Sequence, residues 1–265
     1  MNHIMAKLLQ MLVFSDLDGT LIDHDTYRWD AATPALGALK RIGAGIVLAS
    51  SKTGAELVAL REEMGLAQWP AIVENGAGII QPFCQEKKGI ESYQLLRNTL
   101  DQLPTNLRQY FCGFGDMQVS EVVEVTGLSR EFACLAKQRN YSEPGLWRGT
   151  ESQLNTFITT LAKHNIFARA GGRFLTLSYG QTKADRMGEL IKQYQPCFTV
   201  ALGDAPNDVE MIQSADIGVI VANPHSGVLP ELENECNARV IRTTLPGPQG
   251  WNDAILGILA KLKLR

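Results

Sequence analysis

The chain has 265 residues, 45% of them apolar and 20% charged, with Lys+Arg 25 against Asp+Glu 28 and a net charge of -3. That length and apolar content suit one large domain or two unequal ones around a buried core, and they argue against disorder. The slightly acidic balance offers no broad basic field for nucleic acid.

The longest early apolar run, Met11 to Phe14, falls far short of the roughly 20 residues a membrane span needs. The N-terminus also lacks a signal peptide's apolar region and cleavage site, so a cytoplasmic protein is expected. Cys84, Cys112, Cys134, Cys197 and Cys236 never form a Cys-x-x-Cys pair, which disfavours a disulfide framework or structural zinc. His3, His24, His164 and His225 are isolated along the chain. Chemistry is therefore expected from carboxylates, lysine, hydroxyls and backbone.

In chain order, Leu8 to Phe14 predicts a buried strand that stops at Ser15-Asp16. Thr33 to Ile42 has helical apolar spacing, Gly43-Ala-Gly45 ends it, and Ile46 to Ala49 predicts a second buried strand. Ser50-Ser51-Lys52-Thr53, a helix over about Gly54 to Met64, and a short strand Ala71 to Val73 follow. Lys183 to Tyr194, Phe198 to Leu202, Asp208 to Ser214 and Ile217 to Val221 resume the alternation as helix, strand, helix, strand. Such an order predicts an α/β fold with a doubly wound parallel sheet and ligands at the strands' carboxyl ends. The more mixed stretch 83–178, with helices over Glu91 to Gln102 and Leu154 to His164 and strands over Phe167 to Ala170 and Phe174 to Ser178, reads as an inserted α/β cap. Residues 1–82 and 179–265 are then the core. Gly171-Gly172 and Pro246-Gly247-Pro248 are turn signals.

Phe14-Ser-Asp16-Leu-Asp18-Gly19-Thr20 leaves a buried strand with two carboxylates at the sheet's carboxyl edge. Charges so close require a proton or a cation, and a hard, oxygen-seeking ion such as Mg²⁺ would also bind phosphate. A bare Asp-x-Asp is more often a cap or an Asx-turn, but the apolar strand before it and Gly-Thr after it weigh against that alternative. Gly203-Asp204-Ala-Pro-Asn207-Asp208 follows a second buried strand. Asp204 reaches the same edge, while Asn-Asp before a helix could serve as a capping pair. Ser50 and Ser51 offer hydroxyl and N–H donors, and Lys183 a positive charge for phosphate.

The order Asp-x-Asp-Gly-Thr, Ser, Lys, Gly-Asp-x-x-Asn-Asp resembles the haloacid dehalogenase superfamily of phosphohydrolases, and the insertion resembles the large α/β cap of its sugar-phosphatase branch. Within that branch, Ser50-Ser-Lys-Thr53, Val73-Glu-Asn-Gly-Ala77, Tyr141-Ser-Glu-Pro144, Gly171-Gly-Arg-Phe174, Gly203–Asp208 and Gly247-Pro-Gln-Gly-Trp251 are similar to the mannosyl-3-phosphoglycerate phosphatase family. The resemblance implies Asp16 as nucleophile, forming an aspartyl-phosphate, and Asp18 as general acid and then base. It implies Mg²⁺ on Asp16, Asp18 and Asp204 with Asp208 in support, and Ser50 or Ser51 with Lys183 on the phosphoryl group.

The partner implied is a small phosphorylated sugar or glycerate ester. Arg173 suits a carboxylate. Ser142, Glu143, Glu74, Asn75 and Asn207 are candidates for the rest of the substrate, although Gly-Gly-Arg and Ser-Glu-Pro can each be simple turns. Two other readings stay open: a phosphatase of the glucosyl analogue or another sugar phosphate, and a silent binding protein of the same fold. A nicotinamide-binding domain is disfavoured, because no Gly-x-Gly-x-x-Gly follows the first strand.

Overall fold

The computed structural model describes residues 9–84, 90–171, 173–233 and 235–264. His3, Leu8 and Gly172, which figure in the expectations above, lie outside the described residues, as do 85–89 of the inserted stretch and the N-terminal residues 1–8. In chain order the elements are β1 (Leu12–Ser15), α1 (Thr33–Arg41), β2 (Gly45–Ala49), α2 (Gly54–Glu63), β3 (Ala71–Val73), β4 (Gly78–Ile80), α3 (Ile90–Asp101) and α4 (Thr105–Arg108). Next come β5 (Phe111–Gly113), α5 (Val119–Thr126), α6 (Arg130–Ala136), β6 (Glu143–Trp147), α7 (Glu151–Ala162), β7 (Phe167–Gly171) and β8 (Phe174–Ser178). The chain finishes with α8 (Lys183–Tyr194), β9 (Thr199–Gly203), α9 (Val209–Ser214), β10 (Ile217–Ala222), β11 (Val240–Pro246) and α10 (Gly247–Lys261). Residue contacts divide it into two compact units, Met1–Ser50 with Lys183–Arg265, and Ser51–Thr182.

In the first unit the strands run in the order β11-β10-β9-β1-β2, and every neighbouring pair is parallel. The expected doubly wound sheet is therefore present. β1, β2 and β9 are buried at every position, which explains why they read as continuous apolar runs rather than as alternating ones. Register decides what happens at their ends. Ser15 pairs with Leu48 on one side and with Leu202 on the other, so the chain leaves three adjacent strands at nearly one level. Asp16, Ser50 and Asp204 follow those exits.

The C-terminal part of this unit departs from expectation. Pro246-Gly247-Pro248, read as a turn, instead ends β11 and opens the 15-residue α10. Proline in a helix's first turn lacks only an N–H that would have had no helical partner. α10 then buries Trp251, Ile255, Ile258 and Leu259.

The second unit holds a four-stranded sheet in the order β5-β6-β8-β7, with every neighbouring pair antiparallel, and an antiparallel β3–β4 hairpin. Leu96, Leu100, Phe111, Phe157, Leu161 and Leu177 form one of its buried clusters. The β7–β8 hairpin carries Arg173 at its turn. Ser142-Glu143-Pro144 forms no turn: Glu143 and Pro144 begin β6.

Candidate active site

The site in the first unit is built from strand exits. Asp16 is buried, and its N–H donates to the Leu202 carbonyl at 2.9 Å. Behind it, Trp251 Nε1 donates to Ser15 Oγ at 2.9 Å, and that hydroxyl donates to the Asp16 carbonyl at 2.7 Å. Helix α10 thus holds the backbone that presents Asp16. The chain then closes a tight loop in which the N–H groups of Thr20 and Ile22 both donate to the Leu17 carbonyl, at 3.0 and 2.9 Å. Gly19 has φ +80°, and a Cβ there would collide with the Asn223 side chain, so this position demands glycine for both conformation and space.

Lys183, at the first turn of α8 and 1% exposed, donates to Asp16 Oδ1 at 2.6 Å and to Asp208 Oδ1 at 2.7 Å. The other Asp208 oxygen accepts from the N–H groups of Asp204 and Ala205 at 3.3 and 3.2 Å. A Cβ on Gly203 would overlap Asp208, so glycine is what lets that carboxylate pack beneath the strand end. Asp204 is held by neutral donors: Thr20 Oγ1 at 2.7 Å on one oxygen, and Asn223 Nδ2 at 2.8 Å with Ser226 Oγ at 3.0 Å on the other.

One carboxylate oxygen each from Asp16, Asp204 and Asp208 lies within 4.8 Å of the other two. Three buried carboxylates face one ammonium, so the centre keeps excess negative charge. Burial, together with Asp208 and Asp204, pushes the Asp16 carboxyl well above the usual carboxylate range, against the pull of Lys183. Burial alone would lower Lys183, but Asp16 and Asp208 hold it above its ordinary value, so it stays charged. An all-oxygen donor set with surplus negative charge is what a hard divalent cation requires. The residues present therefore fit Mg²⁺.

Asp18 is half-buried in the same loop, which a β-bridge between Asp18 and Ile22 closes. Ser50, 1% exposed, stands at the exit of β2, whereas Ser51 is exposed and its carbonyl accepts from Arg139 at 3.3 Å. Asn207 is exposed in the 3₁₀ turn Pro206–Asp208. Thr20, Asn223, Ser226, Ser15 and Trp251 support the site without being among the candidates the sequence offers. The rule that found Asp204 would have found Asn223 and Ser226, which follow the exit of β10.

The remaining candidates sit in the second unit, and their polar atoms are engaged there. Buried Glu74 accepts from the N–H groups of Asn140, Tyr141 and Ser142 at 2.8, 3.2 and 2.7 Å, accepts from Ser142 Oγ at 2.7 Å, and pairs with Arg139 at 3.3 Å. Glu143, fully buried, accepts from Tyr93 at 2.5 Å, Arg97 at 2.9 Å and the Gly115 N–H at 2.7 Å. Burial raises its pKa despite these partners. Asn75 turns the chain after β3 with φ +59°. Arg173 is exposed, donates to the Thr126 carbonyl at 3.2 Å and lies 5.8 Å above the Phe174 ring.

Comparison with known proteins adds three findings. A family model described as haloacid dehalogenase-like hydrolase matches residues 13–130 and 145–237. A glucosyl-3-phosphoglycerate/mannosyl-3-phosphoglycerate phosphatase from Persephonella marina is 31% identical, across 96% of this chain and 98% of that protein. In fold the chain is similar to a haloacid dehalogenase-like hydrolase from Bacteroides thetaiotaomicron (TM-score 0.66, 19% identity, 94% and 99% of the two chains). It is likewise similar to a sucrose-phosphatase from Synechocystis sp. solved with sucrose and phosphate (TM-score 0.63, 17% identity, 97% and 99%).

Proposed function

The chain belongs to the haloacid dehalogenase-like hydrolases and is a phosphatase, and we propose that it hydrolyses the phosphate monoester of a glycosyl-3-phosphoglycerate, first of all mannosyl-3-phosphoglycerate. The products are then mannosylglycerate and inorganic phosphate. The observation that carries the substrate reading is the near end-to-end likeness to the Persephonella protein, whose name covers both the glucosyl and the mannosyl ester.

Asp16 is the proposed nucleophile. One of its oxygens bonds to phosphorus as the ester P–O bond breaks, and Asp18 gives a proton to the departing alkoxide. Asp18 then takes a proton from water, whose oxygen attacks phosphorus, so that phosphate leaves and Asp16 is freed. Ser50, with Ser51 as the second candidate, and Lys183 hold the phosphoryl oxygens as charge spreads over them. Lys183, 2.6 Å from Asp16, also opposes the burial that pushes the nucleophile's carboxyl up. Mg²⁺ bound by Asp16, the Asp18 carbonyl and Asp204, with Asp208 in support, would supply the positive charge this buried acidic group lacks and offset phosphate charge.

Specificity is assigned to Arg173 of the inserted module, residues 83–178, on the glycerate carboxylate, with Asn75 and Asn207 of the core contributing to the rest of the substrate. Glu74, Ser142 and Glu143 are assigned to shaping that surface, because their oxygens already serve the protein. The cytoplasmic location expected from the sequence suits a charged ester that does not cross an apolar bilayer unaided. Among the described residues no helix is long and apolar enough to cross a membrane.

Phosphate release from mannosyl-3-phosphoglycerate, its glucosyl analogue, 3-phosphoglycerate and hexose phosphates, with Mg²⁺ or chelator, tests the reading. A Mg²⁺-dependent preference for the mannosyl ester is expected. Equal or greater turnover of simple hexose phosphates would contradict the substrate assignment.

A further inference from the structure

Histidines that are scattered along the sequence meet in the first unit, in a cluster whose residues are distinct from those of the acidic centre. The imidazoles of His24 and His225 stack with centroids 4.3 Å apart and planes 17° apart. His225 Nε2 lies 3.3 Å from Asp25 Oδ2. One donor atom from each of the three residues falls within 4.8 Å of the other two, and all three are exposed. We propose that His24, Asp25 and His225 form a second metal site, for a borderline transition ion such as Zn²⁺ rather than for Mg²⁺.

The chemistry separates this cluster from the acidic one. Two neutral imidazole nitrogens and one carboxylate suit zinc, cobalt or nickel, whereas magnesium requires oxygens and an octahedron. Ligand bonds of about 2.0–2.2 Å require donors nearer together than 4.8 Å. Exposed side chains are free to rotate between staggered wells towards that distance. Three protein ligands leave the fourth tetrahedral position to water.

The two arms of the cluster come from loops that build the acidic centre. His225 donates its N–H to Asn223 Oδ1 at 2.9 Å, and Asn223 Nδ2 holds Asp204 at 2.8 Å. Ser226, the next residue, holds the same carboxylate oxygen. On the other arm, the Asp25 and Thr26 N–H groups donate to Asp23 Oδ1 at 3.2 and 2.8 Å, directly after Ile22 closes the Asp16 loop. An ion bridging the arms would staple these loops together and steady the donors that grip Asp204. The site is thus structural or regulatory, and it stands independently of the substrate assigned above.

Calorimetric titration with Zn²⁺ tests it, on the full chain as wild type, His24→Ala, His225→Ala and Asp204→Asn. One strong equivalent is expected in the wild type and in Asp204→Asn, weakened at least about tenfold in either histidine variant as a ligand is lost. The metal-free Tm of the histidine variants should match the wild type, since both side chains are exposed. Zinc should raise Tm in the wild type and not in those variants. Equal zinc affinity in the wild type and the histidine variants, loss of binding confined to Asp204→Asn, or no binding by the wild type would each overturn the proposal.

Discussion

Each compact unit buries carboxylates, and the two compensate them differently. In the second, Glu74 and Glu143 each face a guanidinium, from Arg139 and Arg97, and collect backbone N–H groups as well. In the first, Asp16 and Asp208 share the single ammonium of Lys183, and Asp204 has only neutral donors among the described residues. A buried charge matched by protein groups serves architecture, since removing one partner strands the other. A buried charge left in excess suits something that arrives from outside, on the proposed reading a cation and a phosphoryl group.

The contrast can be broken at its extremes. Asp16→Asn keeps the shape of the side chain and removes the proposed nucleophile, so kcat should fall by about 10⁴-fold or more while circular dichroism is unchanged. Full activity in that variant would remove Asp16 from the mechanism. On the other side, Glu74→Ala strands buried Arg139 and releases three N–H groups, and denaturant unfolding should show a loss of about 3–5 kcal/mol. An unchanged midpoint would mean that the clamp contributes nothing to stability.

Two smaller effects sharpen it. Asp204→Asn relieves repulsion in the metal-free centre, so its Tm in chelator should equal or exceed that of the wild type, by about 1 kcal/mol of stability at most. Mg²⁺ should then raise Tm in the wild type but not in the variant. A marked loss of Tm in chelator would show that Asp204 is a structural carboxylate like Glu74.

The smallest effect concerns Asp116. Burial pushes its pKa up, but Arg97, the Gly113 N–H and Arg108 outweigh that and hold it below the usual carboxylate value. Its stabilising contribution is therefore complete above an unfolded pKa of about 3.9. It is lost as pH falls through the lower folded value. Asp116→Asn should flatten the acid limb of the stability profile without changing kcat, and an identical acid limb would contradict this.

The first unit was legible because a parallel strand covered on both faces reads as an unbroken apolar run, and its exit is where Asp16, Ser50 and Asp204 appear. Lys183 was legible only through the order of motifs, since nothing local separates it from a solvated lysine. Asn223 and Ser226 stand out only by position, after the exit of β10, because their residue types are ordinary after any strand. Trp251 went unassigned while Pro246-Gly247-Pro248 looked like a turn instead of a helix start. Glu74, Ser142 and Glu143 drew attention as polar residues in a loop-like context. Their burial and partners depend on Arg139, Arg97 and Tyr93 across the fold, which no local spacing reveals. His24 and His225 became neighbours for the same reason.

On the proposed mechanism, the surplus of buried carboxylates in the first unit includes a nucleophile that carries phosphate during turnover. Acid quench of the enzyme turning over mannosyl-3-phosphoglycerate, followed by peptide mass spectrometry, tests it most directly. The account predicts one phosphoryl group on the peptide that contains Asp16, absent in Asp16→Asn. Phosphorylation of another residue, or turnover that leaves Asp16 unmodified at every quench time, would contradict it.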